Sequence, residues 1–166
     1  MRHQGGMGSC YKGSPGEVRA LDTLIKLMRA AESLNIRLNR FISRAGLTVS
    51  QFGALEALYH LGPLCQSELG EKILKSSGNI TMVVDNLEKR GLVKRERGEA
   101  DRRFVTVRLT EKGEGLIREI FPKHVKTMFT EMAVLTASEQ ETLGRLCKKL
   151  GKRCLEREEK EKEGKK

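Results

Sequence analysis

The sequence has few aromatic residues: it contains no tryptophan, two tyrosines and five phenylalanines in 166 residues. Proteins that bind single-stranded nucleic acid generally stack the bases on aromatic side chains. The shortage of aromatics therefore argues against a single-strand binder. It leaves double-stranded nucleic acid, or a protein partner, as the more natural target of a small basic domain.

Long apolar runs are also missing. No stretch approaches the roughly 18 consecutive apolar residues of a membrane-spanning helix. Residues 1–16 lack the apolar middle segment of a secretory signal peptide. The sequence therefore predicts a cytoplasmic protein that has no membrane partner.

Cysteine and histidine are too sparse to form a metal site. The four cysteines show no Cys-x-x-Cys spacing, and the three histidines are scattered, so we expect no metal and no cofactor. Cys147 and Cys154, seven residues apart on one helical face, are interpreted as buried structural thiols. Cys65 starts a predicted helix, where the helix dipole can acidify a thiol; it is the candidate redox thiol, with a simple cap substitution as the alternative.

The motifs of common enzymes are absent as well. We find no nucleophile elbow, phosphate-binding loop or pair of catalytic carboxylates. The chain is therefore not expected to be an enzyme.

Positive charge is what the sequence does have, and it is concentrated. The formal net charge is +10, and residues 89–108 hold eight Lys or Arg against three Asp or Glu. A second basic stretch, residues 148–166, interleaves nine bases with five acids and is typical of a solvated helix end. The first cluster predicts an anionic partner, either nucleic acid or a membrane surface.

The apolar spacing predicts a row of helices. Residues 17–46 form a long amphipathic helix, and "LTVSQFGALEALYHLGP" a second one that starts on a capping box of Thr48 and Gln51. "CQSELGEKIL" gives a short third helix that includes Leu74. "SSGNITMVVDNLEKRGL" gives a fourth, which starts at Ser76 or Ser77 and buries its apolar side.

The third and fourth helices together indicate a helix-turn-helix unit. In such a unit, polar groups near the start of the second helix reach base edges, and its free N–H groups favour phosphate. The residues predicted to contact DNA from this helix are Ser76, Ser77, Asn79, Thr81, Met82, Asn86 and Lys89.

After Leu92 the spacing of apolar residues changes from three or four residues, as in a helix, to two residues, as in a strand. Residues 93–97 and 103–109 are predicted to form antiparallel strands around a "GEAD" turn, followed by helices capped by Thr110 and Thr136. The fold class is thus mainly α with a small β-hairpin wing, a winged helix-turn-helix flanked by helices. The basic hairpin suits contact with the DNA backbone or minor groove. Its candidate DNA-binding residues are Arg95, Asp101, Arg102 and Arg103, with an Asp101–Arg103 ion pair leaving Arg102 free for phosphate.

Four co-linear motifs resemble the MarR family of transcriptional regulators: "LTVSQFGALEAL", "ITMVVDNLEKRGLV", "DRRFVTVRLTEKG" and "LTASEQETL". The similarity covers roughly residues 18–150 and implies a homodimer built from the first, fifth and sixth helices. It also implies binding to a pseudo-palindromic operator in double-stranded DNA, and release by a small phenolic or oxidising signal. The segment "LGPLCQSELGEKILKSSGNIT" is most similar to members that respond to quinones.

The resemblance divides the chain into a flexible leader (1–16), a winged helix domain (17–155) and a charged flexible tail (156–166). Within the domain, residues 47–110 are the expected DNA-binding lobe, and 17–46 and 111–155 the dimerisation helices. The family's effector pocket lies between these parts. The residues expected to line it are Phe52, Tyr59, Phe121, His124 and Met128.

Two departures from the family pattern stand out, namely Met82 in place of a frequent arginine, and Cys65 in place of serine or threonine. Methionine cannot make a bidentate contact to guanine, so the operator sequence does not follow from the resemblance. The leading hypothesis is a sequence-specific, homodimeric repressor. The alternatives are a winged-helix module for RNA or a protein partner, and a thiol-based redox-sensing regulator.

Overall fold

The computed structural model describes residues 10–97 and 105–163. These residues form six helices and three short strands. The helices are α1 (Pro15–Arg44), α2 (Val49–Leu61), α3 (Gln66–Lys72), α4 (Ser77–Lys89), α5 (Glu111–Met132) and α6 (Ala137–Glu163). The strands are β1 (Leu64–Cys65), β2 (Val93–Arg97) and β3 (Val105–Leu109). A mainly helical fold with a small antiparallel sheet is confirmed.

Two compact units are distinguished, Met1–Val125 and Lys126–Lys166. The buried core belongs to the first unit, and all of its members are apolar. They come from the end of α1, from α2 to α5 and from the sheet: Ile42, Leu47, Phe52, Ala54, Leu55, Leu58, Leu69, Ile80, Val84, Leu87, Leu92, Val93, Val107, Ile117 and Ile120. Among the helices described, none combines the length and apolarity needed to cross a bilayer.

Local capping patterns start several of the helices as predicted. At α2, the Gln51 N–H donates to Thr48 Oγ1 at 3.2 Å, and the Thr48 N–H donates to Gln51 Oε1 at 2.9 Å. Thr136 and Glu139 make the same reciprocal pair at the start of α6. Each pair satisfies two backbone donors that the helix itself leaves without partners.

The third helix is shorter than predicted. It ends at Lys72, and Leu74, which was expected to continue it, has a φ of 53° and is 79% exposed. This left-handed residue reverses the chain, so that the Lys75 N–H donates to the Gly70 carbonyl at 2.8 Å. The reversal ends α3 and leads directly into α4.

The sheet has the strand order β1-β3-β2, and both pairings are antiparallel. In the predicted hairpin, Val93 faces Leu109 and Arg97 faces Val105. Strand β1 was not predicted, since two residues are too few to show an alternating pattern. The predicted "GEAD" turn and the start of the second strand lie in residues 98–104, outside the described residues.

Both ends of the chain are more helical than predicted. Helix α1 begins at Pro15, within the predicted leader, because Ser14 and Glu17 form a capping box and proline favours the first helical position. Helix α6 continues to Glu163 instead of ending near residue 155. The added stretch is rich in Glu, Lys and Arg, which are good helix formers, and has no glycine or proline before Gly164.

The sheet is joined to α5 by a close backbone contact. The Thr110 hydroxyl donates to the Gly91 carbonyl at 2.7 Å and accepts the Gly113 N–H at 3.1 Å. A Cβ on Gly113 would lie 1.9 Å from the Leu92 carbonyl oxygen, which is far inside van der Waals contact. The glycine of the "LTEKG" motif is therefore required by the approach of α5 to the end of α4.

We predict that Gly113→Ala destabilises the protein by more than about 2 kcal/mol, because the backbone must move to relieve the clash. Gly115 is the matched control, since a Cβ there meets no atom within 4 Å. Gly115→Ala should instead stabilise α5, by about 0.5–1 kcal/mol. Chemical denaturation measures both changes, and equal effects of the two substitutions would contradict the close-contact account.

Candidate nucleic-acid interface

Helix α4 separates an apolar face from a polar, exposed one. Ile80, Val84 and Leu87 are buried. Most of the residues predicted to contact DNA are exposed on the other face or at the helix start, namely Ser76, Ser77, Asn79, Thr81, Met82, Asn86 and Lys89. Met82 is 63% exposed on this face.

The start of α4 differs from the prediction in its cap. Ser76 occupies the N-cap position, but its hydroxyl accepts no hydrogen bond from the helix. The Ser76 side chain therefore does not satisfy the backbone N–H groups of the first turn of α4. Such groups attract a phosphate when one is near.

Arg95 lies on the predicted strand β2 and makes contacts within the protein that the sequence did not predict. Its guanidinium is ion-paired with Asp85 at 2.5 Å and with Glu88, its Nε donates to Gln66 Oε1 at 2.9 Å, and its backbone N–H donates to Glu88 at 3.0 Å. Only 25% of the side chain is exposed. The Arg95 guanidinium is therefore engaged by carboxylates of α4, and its predicted contact with DNA stays a prediction.

The pairing of Arg95 is reflected in its pKa. Burial lowers the pKa, but the hydrogen bonds from the guanidinium to Asp85 and Glu88 outweigh that effect and raise it. The charge is thus retained at any physiological pH. Sequence alternation missed these contacts because the partners lie on a helix that precedes the strand.

Several other cations of β2 and β3 stay at the surface. Lys94 and Arg108 both pair with Glu96, at 2.6 Å and 3.0 Å, and the hydrogen bond from Lys94, followed by that from Arg108, lowers the pKa of this carboxyl. Among the described residues, Lys89 and Arg97 form no ion pair and are exposed. Exposed pairs of this kind are weak, so all four cations can meet a phosphate.

Three predicted wing residues, Asp101, Arg102 and Arg103, lie outside the described residues. The predicted Asp101–Arg103 ion pair therefore stays a prediction.

The cysteines are placed differently from one another. Cys65 is half-buried at the N-cap of α3, where its backbone N–H donates to Glu68 at 2.8 Å and its Sγ lies 2.9 Å from Ser67 Oγ. It thus takes a cap position, as the alternative interpretation had it. Cys147 is exposed, so the expectation that it is buried is wrong. The reason is that no described part of Lys126–Lys166 covers this face of α6, whose side chains are exposed through Arg153. Cys154 lies beyond the described side chains.

Four of the five predicted effector-pocket residues belong to an aromatic cluster in the first unit. The ring centroids of Phe52 and His124 are 4.7 Å apart, and those of Phe121 and His124 are 6.3 Å apart. His60 joins the cluster through ring contacts with Phe121 at 4.7 Å and Tyr59 at 5.1 Å. Met128, the fifth, is half-buried in the second unit.

His124 is the unusual member of this cluster. Its Nδ1 is buried and has no hydrogen-bond partner among the described residues. Burial lowers the pKa of His124 below its ordinary value, against the opposing attraction of Glu56. The imidazole is therefore neutral in the folded protein near neutral pH, and no described residue meets the hydrogen-bonding capacity of its Nδ1.

A groove of about 590 Å³ has His60 among its lining residues. Apolar side chains of α2 and Ile73 line it, with Glu56, Lys72 and Lys75 at its edge. Phe52 does not open onto it, since it is 3% exposed and belongs to the core. Among the described residues, no group of three or more His, Cys, Asp or Glu is placed to hold a metal ion.

Comparison with known proteins agrees with this geometry. The sequence model described as the MarR family matches residues 47–105. The HTH-type transcriptional regulator MhqR of Bacillus subtilis is 39% identical over 133 residues, which cover 80% of this chain and 92% of that protein. Sco3205 of Streptomyces coelicolor, a MarR family regulator solved in complex with DNA, is 26% identical with a TM-score of 0.75, over 85% of this chain and 89% of that one. BpsR of Bordetella bronchiseptica, whose DNA binding is regulated by 6-hydroxynicotinic acid, is 26% identical with a TM-score of 0.68, over 75% and 95%.

We predict that the unfolding free energy falls as pH drops below about 6.5, the ordinary pKa of histidine. The folded-state pKa of His124 is lowered, so the unfolded state takes up a proton first and is favoured by acid. His124→Phe should remove this part of the pH dependence, whereas His60→Phe, at an exposed histidine of the same cluster, should leave most of it. Denaturation between pH 5 and 8 is the measurement, and identical profiles for wild type and His124→Phe would contradict the prediction.

Proposed function

Because the chain belongs to the MarR family of transcriptional regulators, we propose that it is a homodimeric repressor of a pseudo-palindromic operator. The observation that carries this proposal is the exposed polar face of α4 next to a basic hairpin. Its relatives are regulators and not enzymes, and the DNA-bound state of Sco3205 supports duplex DNA as the partner. A repressor of this kind acts where the DNA is, in the cytoplasm.

The chemistry of the side chains separates the proposed base contacts from the proposed phosphate contacts. Asn79, Thr81, Met82 and Asn86 face the major groove, where amide and hydroxyl groups read base edges and methionine contacts the thymine methyl group. Phosphate contacts come from the cations, and from Ser76 and Ser77 at the start of α4. The cations assigned to phosphate are Lys89, Arg97, Arg102 and Arg103. Arg95 holds β2 to α4 through its ion pairs with Asp85 and Glu88.

Exposed apolar faces on both units support the dimer. On α1, Leu24 is 50% and Met28 61% exposed. In the second unit, Phe129 is 77% and Val134 85% exposed, and α6 presents a stripe of leucines at 143, 146 and 150. Apolar patches of this kind mark interaction surfaces. To bind a pseudo-palindromic operator, such a dimer must present its two recognition helices about 34 Å apart, one turn of DNA.

The proposed signal is a small hydroxylated aromatic molecule, of phenolic or quinone-like type. The regulation of BpsR by 6-hydroxynicotinic acid supports this class. In this chain, the proposal is supported by the His124 Nδ1, which has no partner among the described residues and could accept from a phenolic hydroxyl once a ligand opened the site, and by the neighbouring half-buried ring of Phe121. Tyr59, in the same unit, is the further residue proposed for this pocket, whereas Met128 stays a prediction from the sequence. Ligand binding would release DNA by favouring a dimer whose helices no longer fit successive major grooves.

We predict that Arg97→Ala and Arg102→Ala each weaken binding to operator and random duplex alike, and reduce the salt slope by about 1. Asn79→Ala should instead erode the preference for operator, by about 1–3 kcal/mol. Arg118→Ala is the matched control, because Arg118 is an exposed arginine of α5 that pairs with Glu114. Fluorescence anisotropy at several salt concentrations separates these outcomes. An unchanged salt slope in both wing variants would refute the phosphate assignment.

We also predict that wild type sediments as a dimer and that Leu146→Asp shifts it towards monomer, because a carboxylate in an apolar interface is costly to desolvate. Lys148→Asp, an equally exposed position on the other side of α6, should leave the dimer intact. Sedimentation velocity distinguishes the species. Wild type that stays monomeric at micromolar concentration would rule out the proposed dimer.

A further inference from the structure

Gln66 lies between the wing and the recognition helix and contacts both. It is the first residue of α3, and its side chain is half-buried. Its Oε1 accepts a hydrogen bond from Arg95 Nε of β2 at 2.9 Å, and its Nε2 donates to Thr81 Oγ1 of α4 at 3.1 Å. One amide therefore joins the two elements that are proposed to touch DNA.

Arg95 determines which way this amide points. A guanidinium has donors only, so the atom of Gln66 that faces it must be the oxygen. The amide nitrogen then has to face Thr81. Arg95 cannot swing away, because Asp85 and Glu88 hold its other nitrogens.

The Thr81 hydroxyl is thereby committed on two of its three hydrogen-bonding sites. It accepts from Gln66, and it donates its proton to the Ser77 carbonyl one turn earlier, at 3.0 Å. A hydroxyl has one proton and two lone pairs, so a single lone pair is left. Thr81 is exposed on the outer face of α4, where that lone pair is available to a partner.

We propose that Gln66 sets the polarity of Thr81, so that α4 offers the major groove an acceptor and no donor at this position. The base selected there must carry an amino group, which means adenine through N6 or cytosine through N4. Guanine and thymine present acceptors at the matching positions and are disfavoured. This inference rests on the proposed function and adds a base preference to it, with Gln66 as a positioning residue that acts through Thr81.

The test selects duplexes from a library with a randomised central window and sequences those that bind. Wild type should enrich adenine or cytosine at one position of each half-site, by roughly fivefold over guanine or thymine, which is the worth of one hydrogen bond. Thr81→Val should lose the preference at that position and keep the others. Thr130→Val is the matched control, because Thr130 is an exposed threonine that donates to the carbonyl four residues earlier, as Thr81 does, but lies on α5.

Two substitutions of Gln66 separate positioning from mere stability. In Gln66→Met the Thr81 hydroxyl is free to turn and donate, so the preference at the same position should be lost. In Gln66→Glu the carboxylate accepts from both Arg95 and the Thr81 hydroxyl, which keeps the proton away from DNA. The preference should then survive although the added negative charge lowers overall affinity. Circular dichroism checks that each variant is folded. If Gln66→Met does not fold, the comparison of Thr81→Val with Gln66→Glu tests the proposal.

A synthetic operator with the amino group removed from the selected base gives a second readout. It should bind wild type about fivefold more weakly than the natural operator, and should bind Thr81→Val equally well. The double variant Gln66→Met/Thr81→Val should behave as Thr81→Val alone. Suppose that wild type prefers an operator while Thr81→Val and Gln66→Met keep every base preference. That result would overturn this inference and leave the proposed function standing. If wild type prefers no duplex over random sequence, the proposed function fails and this inference fails with it.

Discussion

The arrangement of the DNA-binding lobe depends on the ion pairs that Arg95 makes with Asp85 and Glu88. A strand and a helix that are proposed to contact DNA together need a fixed position relative to each other. A buried apolar contact alone permits small sliding, whereas hydrogen bonds to a planar guanidinium have a fixed geometry. Arg95 therefore fixes the position of β2 relative to the exposed face of α4.

A second constraint acts at the other end of the hairpin, where β3 meets α5. Thr110 closes the chain onto the Gly91 carbonyl, and Gly113 lets α5 approach the Leu92 carbonyl more closely than any side chain permits. The two constraints flank α4: one holds its outer surface to β2, and the other holds its end to α5. Between them, the recognition helix is attached to the wing and to the start of the long helix that follows. A lobe fixed in this way presents one surface to DNA instead of a range of surfaces.

Features that depend on neighbours in sequence were predictable, and features that depend on neighbours in space were not. The capping boxes of Thr48 and Thr136, and the buried face of α4, follow from spacings of three and four residues. The role of Arg95 depends on carboxylates seven and ten residues away, on another element, and alternation along a strand carries no sign of them. Leu74 and the two-residue strand β1 were missed for a similar reason, since a left-handed residue and a short pairing leave no periodic pattern. The exposed residues of α4 were thus predictable from the sequence, but the ion pairs that hold this helix to β2 were not.

The central claim is that the face of α4, held by Arg95 and flanked by a basic wing, recognises a particular duplex sequence. The most direct test is anisotropy binding to labelled DNA from the region upstream of the protein's own gene, against a scrambled duplex of the same composition, at several salt concentrations. The account predicts tighter binding to the upstream DNA at every salt concentration, together with a steep fall in affinity as salt rises. Equal affinity for the two duplexes would contradict recognition of that sequence, and no binding to either would contradict DNA as the partner.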